Sequence, residues 1–330
     1  MASGTDLAAH LQNLIPDSHA QLRDSVLPSL LKSVHTIAGH LRTSPSVTQV
    51  GTANAFGDDQ LNVDVLAEDA IRQTIKACPS IVTASSEEDP IERSSSENPS
   101  TTGSTEQYTL AFDPLDGSSI IAPNWSVGTI LGIWSGASAL HSPPSTHQIA
   151  AILGVLGPRT TAIVALRLPN SPSACFEVGY SSSGSIQVIR ANVQLASPSD
   201  VKTRYFAPAN LRAAAEDAKY MSLITHFIQQ KYTLRYSGGL VPDVVHALVK
   251  GHGIYISPVT PQSKAKLRRL YELAPIALII ECAGGAALDS ATGTRILDVE
   301  VRDTDERGGL VCGNTTDVES ARKALLLLPS

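Results

Sequence analysis

Asp113-Pro114-Leu115-Asp116-Gly117-Ser118-Ser119 sets two carboxylates three residues apart at the end of an alternating apolar segment, Tyr108, Leu110 and Phe112. Carboxylates so spaced at a strand end can face one point, and Gly117 to Ser119 can offer successive backbone N–H groups to an anion. Oxygen-only ligands suit Mg²⁺ or Mn²⁺. Taken alone, the heptapeptide reads better as an Asp-Pro turn followed by a Ser-Ser helix cap. Other acids shift that balance: Asp58-Asp59, Asp64, Glu87-Glu88 and Glu272. Glu87 and Glu88 follow the apolar Ile81-Val82, and Glu272 sits inside Leu270-Tyr271-Glu272-Leu273-Ala274. Glutamate is almost never buried unless paired, which makes a metal a reasonable partner.

The elements that must carry these residues follow from periodicity. Pro28 to Arg42 repeats apolar residues at helical spacing through Leu30, Leu31, Val34, Ile37, Ala38 and Leu41. A second helix fits Asp64 to Ala77, with Pro79 beyond its end and Asp64 at its start. Residues 92–107 turn Ser/Thr/Glu/Asn-rich and read as a surface loop. Strands are expected at Tyr108 to Phe112, Val127 to Trp134, Thr160 to Leu166 and Ile186 to Ile189. Turn chemistry at Ala196-Ser197-Pro198-Ser199-Asp200 suggests a boundary. Beyond it, helices are expected over Ala213 to Lys231, Asp243 to Lys250 and Pro275 to Ala283, the last two stopped by glycine.

Composition narrows the partners. The chain has 330 residues, 42% hydrophobic, enough for a large core in two domains or one two-part fold. A net charge of −6 without any Lys/Arg block leaves no electrostatic footprint for nucleic acid or an anionic membrane. No apolar run approaches the roughly 20 residues of a membrane helix. The N-terminus carries Asp6 and Asp17 and shows no signal or transit pattern, so a cytoplasmic address is expected. Cys78, Cys175, Cys282 and Cys312 are far apart, lack metal-ligand spacing and are expected to be reduced.

Several blocks together resemble the fructose-1,6-bisphosphatase and sedoheptulose-1,7-bisphosphatase family of metal-dependent sugar phosphatases. They are GDDQLNVDVLAED (57–69), SSEED (85–89), AFDPLDGSSI (111–120), SVGTILGIW (126–134), KYTLRYSGGLVPDV (231–244), KAKLRRLYELAP (264–275) and ECAGG (281–285). They span most of the chain in the family's order, which makes the likeness specific.

The resemblance implies a layered αβαβα sandwich with two sheets. It divides into an N-terminal subdomain over 1–197, carrying most metal ligands, and a sugar-phosphate-binding subdomain over 198–330. It implies two or three Mg²⁺ ions per site, with Mn²⁺ as a substitute. Glu87, Asp113, Asp116, Glu272 and the Leu115 carbonyl would hold the two principal ions, and Asp58 a further one. Asp64 and Glu88 would position and deprotonate the attacking water. Substrate contacts would come from Asp116, the Gly117-Ser118-Ser119 turn, Asn210, Arg212, Tyr236, Lys266 and Arg268. Arg235 would be lent by a neighbouring subunit, so the expected unit is a homodimer or homotetramer.

Within that family the pocket leans toward sedoheptulose 1,7-bisphosphate, with fructose 1,6-bisphosphate as the alternative or a second substrate. Fructose enzymes typically read Asn-Glu-Gly-Tyr where this chain has Asn210-Leu211-Arg212-Ala213, and Ser257 replaces another phosphate-contacting tyrosine. Ala122 stands where both groups usually carry an aspartate. That departure motivates a different reading, a catalytically idle sugar-phosphate sensor. An inositol-type monophosphatase is a third, disfavoured by Arg235 and Lys266, which imply a second phosphate.

Overall fold

The computed structural model describes residues 5–53, 57, 59–95 and 106–326. Nine strands form one sheet. From one edge to the other they are Thr5–Asp6, Ile186–Arg190, Ala174–Tyr180, Thr160–Leu166, Gln148–Leu156, Val127–Ser135, Tyr108–Asp116, Ile81–Ser86 and Arg93–Ser94. Every neighbouring pair is antiparallel except Ile81–Ser86 beside Tyr108–Asp116. A second sheet of five runs Thr233–Leu234, Tyr205–Pro208, Ile254–Ser257, Leu310–Gly313 and Ala286–Leu288.

Alternation along the strands separates three cores. Leu110, Phe112, Leu131, Ile133 and Ile152 project into one core. It is shared with Leu30, Leu31, Val34 and Ile37 of helix Leu27–Thr43 and with Ala67, Ile71 and Ile75 of helix Asn62–Ala77. Their neighbours Ala111, Ile130, Ala151 and Leu153 project the other way. There they meet helices Leu240–Lys250 and Ala274–Cys282, the second buried at every position but Glu281. Tyr255, Leu310 and Cys312 of the small sheet close that middle core. Phe206, Ile254, Ile256 and Val311 face outward onto helices Ala218–Gln229 and Thr315–Leu326. Period-two side-chain alternation thus builds five layers, αβαβα, as expected.

Some elements differ from the sequence reading. The helix expected over 213–231 is split into a 3₁₀ turn, Leu211–Ala215, and a helix, Ala218–Gln229, because the Asp217 side chain caps the second by accepting from Tyr220 N at 2.9 Å. Strand Gln148–Leu156 was not anticipated. It is buried on both faces and so shows an apolar run without alternation. The strand expected to stop at Phe112 continues to Asp116, with an irregularity in register between Asp113 and Asp116. Of the expected loop, residues 96–105 lie outside the described residues.

Candidate active site

The register irregularity is what turns both aspartates to the same place. Across it, Asp113 pairs with Ile130 and Asp116 with Gly128. Pro114, which has no N–H to donate, sits at the irregularity, and its carbonyl accepts from Thr129 Oγ1 at 3.0 Å. Asp113 Oδ1 accepts from Leu115 N at 2.9 Å. Gly117 follows at φ +104°, a left-handed conformation that opens the short helix Ser118–Ile121, on which Ser118 and Ser119 are exposed. Ser118 Oγ lies 3.5 Å from the Leu115 carbonyl.

Asp116 is seated on the N-terminus of helix Leu240–Lys250. Its two oxygens accept from Leu240 N at 3.3 Å and Val241 N at 2.7 Å, a favourable seat for a negative charge. That approach needs Gly128, where an added Cβ would lie 2.3 Å from Val241 Cβ. Two residues further along the same helix, Asp243 accepts from Ser237 N and Gly238 N and braces the turn that leads in.

Glu272 arrives from the other side, on a π-helical turn, Arg269–Leu273, that leads into helix Ala274–Cys282. Oxygens of Asp113, Asp116 and Glu272 all lie within 4.8 Å of one another, and all three residues are buried. Burial raises the pKa of each, and the charge of Glu87 raises each further. Glu87 itself is fixed by Glu87 N donating to the Phe112 carbonyl at 3.0 Å. Its side chain accepts from Arg268 Nε at 2.9 Å. A buried set of converging carboxylates, whose neighbouring guanidinium is already engaged by Glu87 and Asp305, matches the oxygen-rich donor set that a hard divalent cation takes.

Asp64 and Glu88 stand beside this centre. Asp64 occupies the third position of helix Asn62–Ala77, and its Oδ2 accepts from Leu61 N at 2.9 Å. Its other oxygen is buried and has no hydrogen-bond partner among the described residues. Burial, with a smaller push from Glu87, raises its pKa to about 6. Glu88 accepts from Gln60 Nε2, and burial together with the charges of Asp64 and Glu87 raises its pKa to about 7. A carboxylate that titrates near neutrality is suited to taking a proton from water.

The remaining expected residues are distributed unevenly around that centre. Asn210 has φ +49° and opens the Leu211–Ala215 turn, with its backbone bonded to the half-exposed Tyr236 hydroxyl. Arg212 and Lys266 are exposed, and neither forms an ion pair among the described residues. Arg235 stacks over Tyr205, its Cζ 5.7 Å from the ring centre, and lines a cavity of about 1180 Å³ with Tyr236, Asp243, His246, Ala122 and Trp125. This cavity lies next to the carboxylates rather than on them. Arg268 is 1% exposed, and its guanidinium bonds Glu87 and Asp305. Asp58 lies outside the described residues. Sequence reading missed Asp305, Gln60 and the N–H donors of Leu240 and Val241. Only the last had a signal, the Gly-Gly-Leu-Val-Pro-Asp helix start at 238–243.

The fructose-1-6-bisphosphatase N-terminal domain model matches residues 9–175, and its C-terminal domain model matches residues 200–326. The chain belongs to the fructose-1,6-bisphosphatase family. It is a phosphoric monoester hydrolase of the sugar bisphosphatase type, in a family that is metal-dependent. It is 38% identical over 295 residues to the chloroplastic sedoheptulose-1,7-bisphosphatase of Spinacia oleracea, covering 89% of this chain and 72% of that one. It is 36% identical over 278 residues to the class 1 fructose-1,6-bisphosphatase of Syntrophotalea carbinolica, covering 82% and 79%. A crystal structure from Toxoplasma gondii, provisionally named a sedoheptulose-1,7 bisphosphatase, superimposes over 100% of both chains with a TM-score of 0.85 at 32% identity. Leishmania major fructose-1,6-bisphosphatase in holo form shares the fold, with a TM-score of 0.83 at 23% identity over 98% of this chain and 99% of that one. Among the described residues no helix is long and apolar enough to cross a membrane.

Proposed function

We propose that this family member removes the C1 phosphate of sedoheptulose 1,7-bisphosphate, using Mg²⁺, with Mn²⁺ able to substitute. The observation that carries the reading is the buried meeting of Asp113, Asp116 and Glu272, with Glu87 beside them and Glu88, its pKa raised to about 7, at the edge. Glu87, Asp113, Asp116, Glu272 and the Leu115 carbonyl would hold the metal. When bound, Mg²⁺ supplies charge neutralisation for the phosphoryl oxygens and a lowered pKa for water. Glu88 takes the proton of the attacking water, and Asp64, whose Oδ1 has no partner among the described residues, orients that water. Ser118 and Ser119, both exposed at the start of their short helix, would offer hydroxyls and N–H groups to the phosphate. Ala122 removes none of these groups, which weighs against an idle sensor.

The preference for the longer sugar is supported by the 36–38% identity to three plant and algal sedoheptulose-1,7-bisphosphatases and by Arg212 standing exposed beside Asn210. Fructose 1,6-bisphosphate is the second reading, supported by the class 1 relatives at 32–36%. We read the chain as two subdomains, 1–197 and 198–330, in a homodimer or larger homo-oligomer that lends Arg235 across the interface. All four cysteines are free and buried, which suits a reducing compartment such as the cytoplasm. Phosphate release from both bisphosphates and from inositol 1-phosphate, with and without Mg²⁺, tests the proposal. Metal-dependent release that favours the sedoheptulose ester supports it; release from the monophosphate alone, or release indifferent to chelator, overturns it.

A further inference from the structure

Behind the acidic bend lies a second set of charges to which no role has been given. Asp64, Glu68 and Arg72 recur every four residues and so share one face of helix Asn62–Ala77. Glu68 Oε1 accepts from Arg72 Nε at 2.7 Å and from Ser86 Oγ at 2.9 Å. Ser86 is fully buried and is the last residue before Glu87. Its hydroxyl also accepts from Asp89 N at 2.9 Å, while Ser86 N donates to the Asp89 carbonyl at 3.0 Å. These bonds close a four-residue bend around Glu87 and Glu88. Arg72 reaches the other acidic segment as well, its Cζ 5.3 Å from the ring centre of Phe112, the residue before Asp113. Asp89, at the far end of the bend, is clamped by Arg93 at 2.8 and 3.1 Å.

We infer that Glu68, held by Arg72 and acting through the Ser86 hydroxyl, is the positioning residue that aims Glu87 and Glu88 at the reaction centre. The inference rests on the proposed hydrolysis and deepens it. A stabilising role alone does not account for Glu68. Among the described residues its Oε2 is buried and makes no hydrogen bond, which is destabilising, and its carboxyl stands behind a site already crowded with acids. Replacing buried charges with apolar groups is often neutral or stabilising. What the carboxylate uniquely provides is an acceptor for Ser86 and for Arg72 at once, and so a single geometry for the bend. Groups that orient metal ligands typically change affinity or activity by about 10–100-fold when removed.

The test uses the full chain with Ser86→Ala, Glu68→Ala and Glu68→Gln. It measures kcat and KM for the bisphosphate, the thermal midpoint, and Mn²⁺ binding by calorimetry without substrate. Ser86→Ala and Glu68→Ala should lower kcat about 10–100-fold with KM little changed, and should weaken Mn²⁺ binding. Glu68→Gln, which keeps an acceptor for Ser86, should recover most of both. Folded Ser86→Ala protein with the parent's kcat and Mn²⁺ affinity would overturn the inference. So would losses that track the thermal midpoint alone, with Glu68→Gln no better than Glu68→Ala. If Glu68→Ala does not fold, Ser86→Ala decides. If the parent hydrolyses no bisphosphate yet Ser86→Ala still weakens Mn²⁺ binding, the proposed reaction is wrong and the positioning role stands.

Discussion

Removing the metal should invert the usual pH dependence of stability. Burial raises Asp64 to about 6 and Asp116 to about 6, from 3.8 in a free side chain. Between about pH 5 and pH 6 the unfolded chain has lost both protons while the folded chain keeps them. The folded state then binds more protons, so its stability falls as pH rises. Their contribution is fully present below about pH 4 and gone above about pH 6 to 7. At about 1.4 kcal/mol per unit, one unit for each of two groups gives a loss of about 3 kcal/mol between pH 5 and pH 8. Asp113 and Glu272, also raised by burial, add to it with the same sign. Glu88, only partly buried, adds a smaller share because solvent screens it. Against a total stability on the order of 5–15 kcal/mol the effect is large. Urea unfolding in chelator should therefore show a midpoint lower at pH 8 than at pH 5. Saturating Mg²⁺ should reverse the order, because carboxylates bind it only after losing their protons. Chelated protein at least as stable at pH 8 as at pH 5 would refute the reasoning, since the carboxylates would then already be compensated without metal.

Other expectations concern catalysis. Asp113→Asn or Glu87→Gln should abolish phosphate release while circular dichroism stays that of the parent; activity retained in either would remove that residue from the metal site. Glu88→Gln should lower kcat by about 10²–10⁴-fold and leave the Mg²⁺ requirement nearly unchanged, and a raised Mg²⁺ requirement at normal kcat would make Glu88 a ligand instead. Arg235→Ala should raise KM by about 10–150-fold, equivalent to about 1.5–3 kcal/mol. Mixed with Asp113→Asn under subunit exchange, it should regain sites of normal KM; a fully active monomer in sedimentation would show that the arginine serves its own chain.

Much of the centre was legible because its residues break local rules. Glu272 inside an apolar run, and Glu87-Glu88 a few residues after the apolar Ile81-Val82, are anomalies that a sequence displays openly, and Asp113 and Asp116 mark the end of a clear strand. Helices Leu27–Thr43 and Asn62–Ala77 could be read because one face of each is solvated and the stripe shows. Strand Gln148–Leu156 could not, since burial on both faces erases the alternation that would mark it. The seat of Asp116 was also hidden, for its partners Leu240 and Val241 lie 124 and 125 residues away and contribute only backbone N–H groups, which every residue type has. Arg268 shows a pairing that sequence could not display: at 1% exposure it bonds Glu87 and Asp305, 181 and 37 residues away.

The seating of Asp116 on a helix that begins far along the chain bears on how this protein could be divided. A fragment ending after the large sheet would contain Glu87, Asp113 and Asp116, yet Asp116 would have lost both N–H donors and Glu272 would be missing. The complementary fragment would hold Glu272 and the helix with nothing to face. Neither piece is a weaker enzyme; each is an unfinished one. Split at the 196–200 turn and supplied as two chains, the molecule would regain phosphate release only on reassembly, in step with recovery of the middle core. Activity in such a pair would report docking of the layers more sensitively than any spectroscopic probe of either piece.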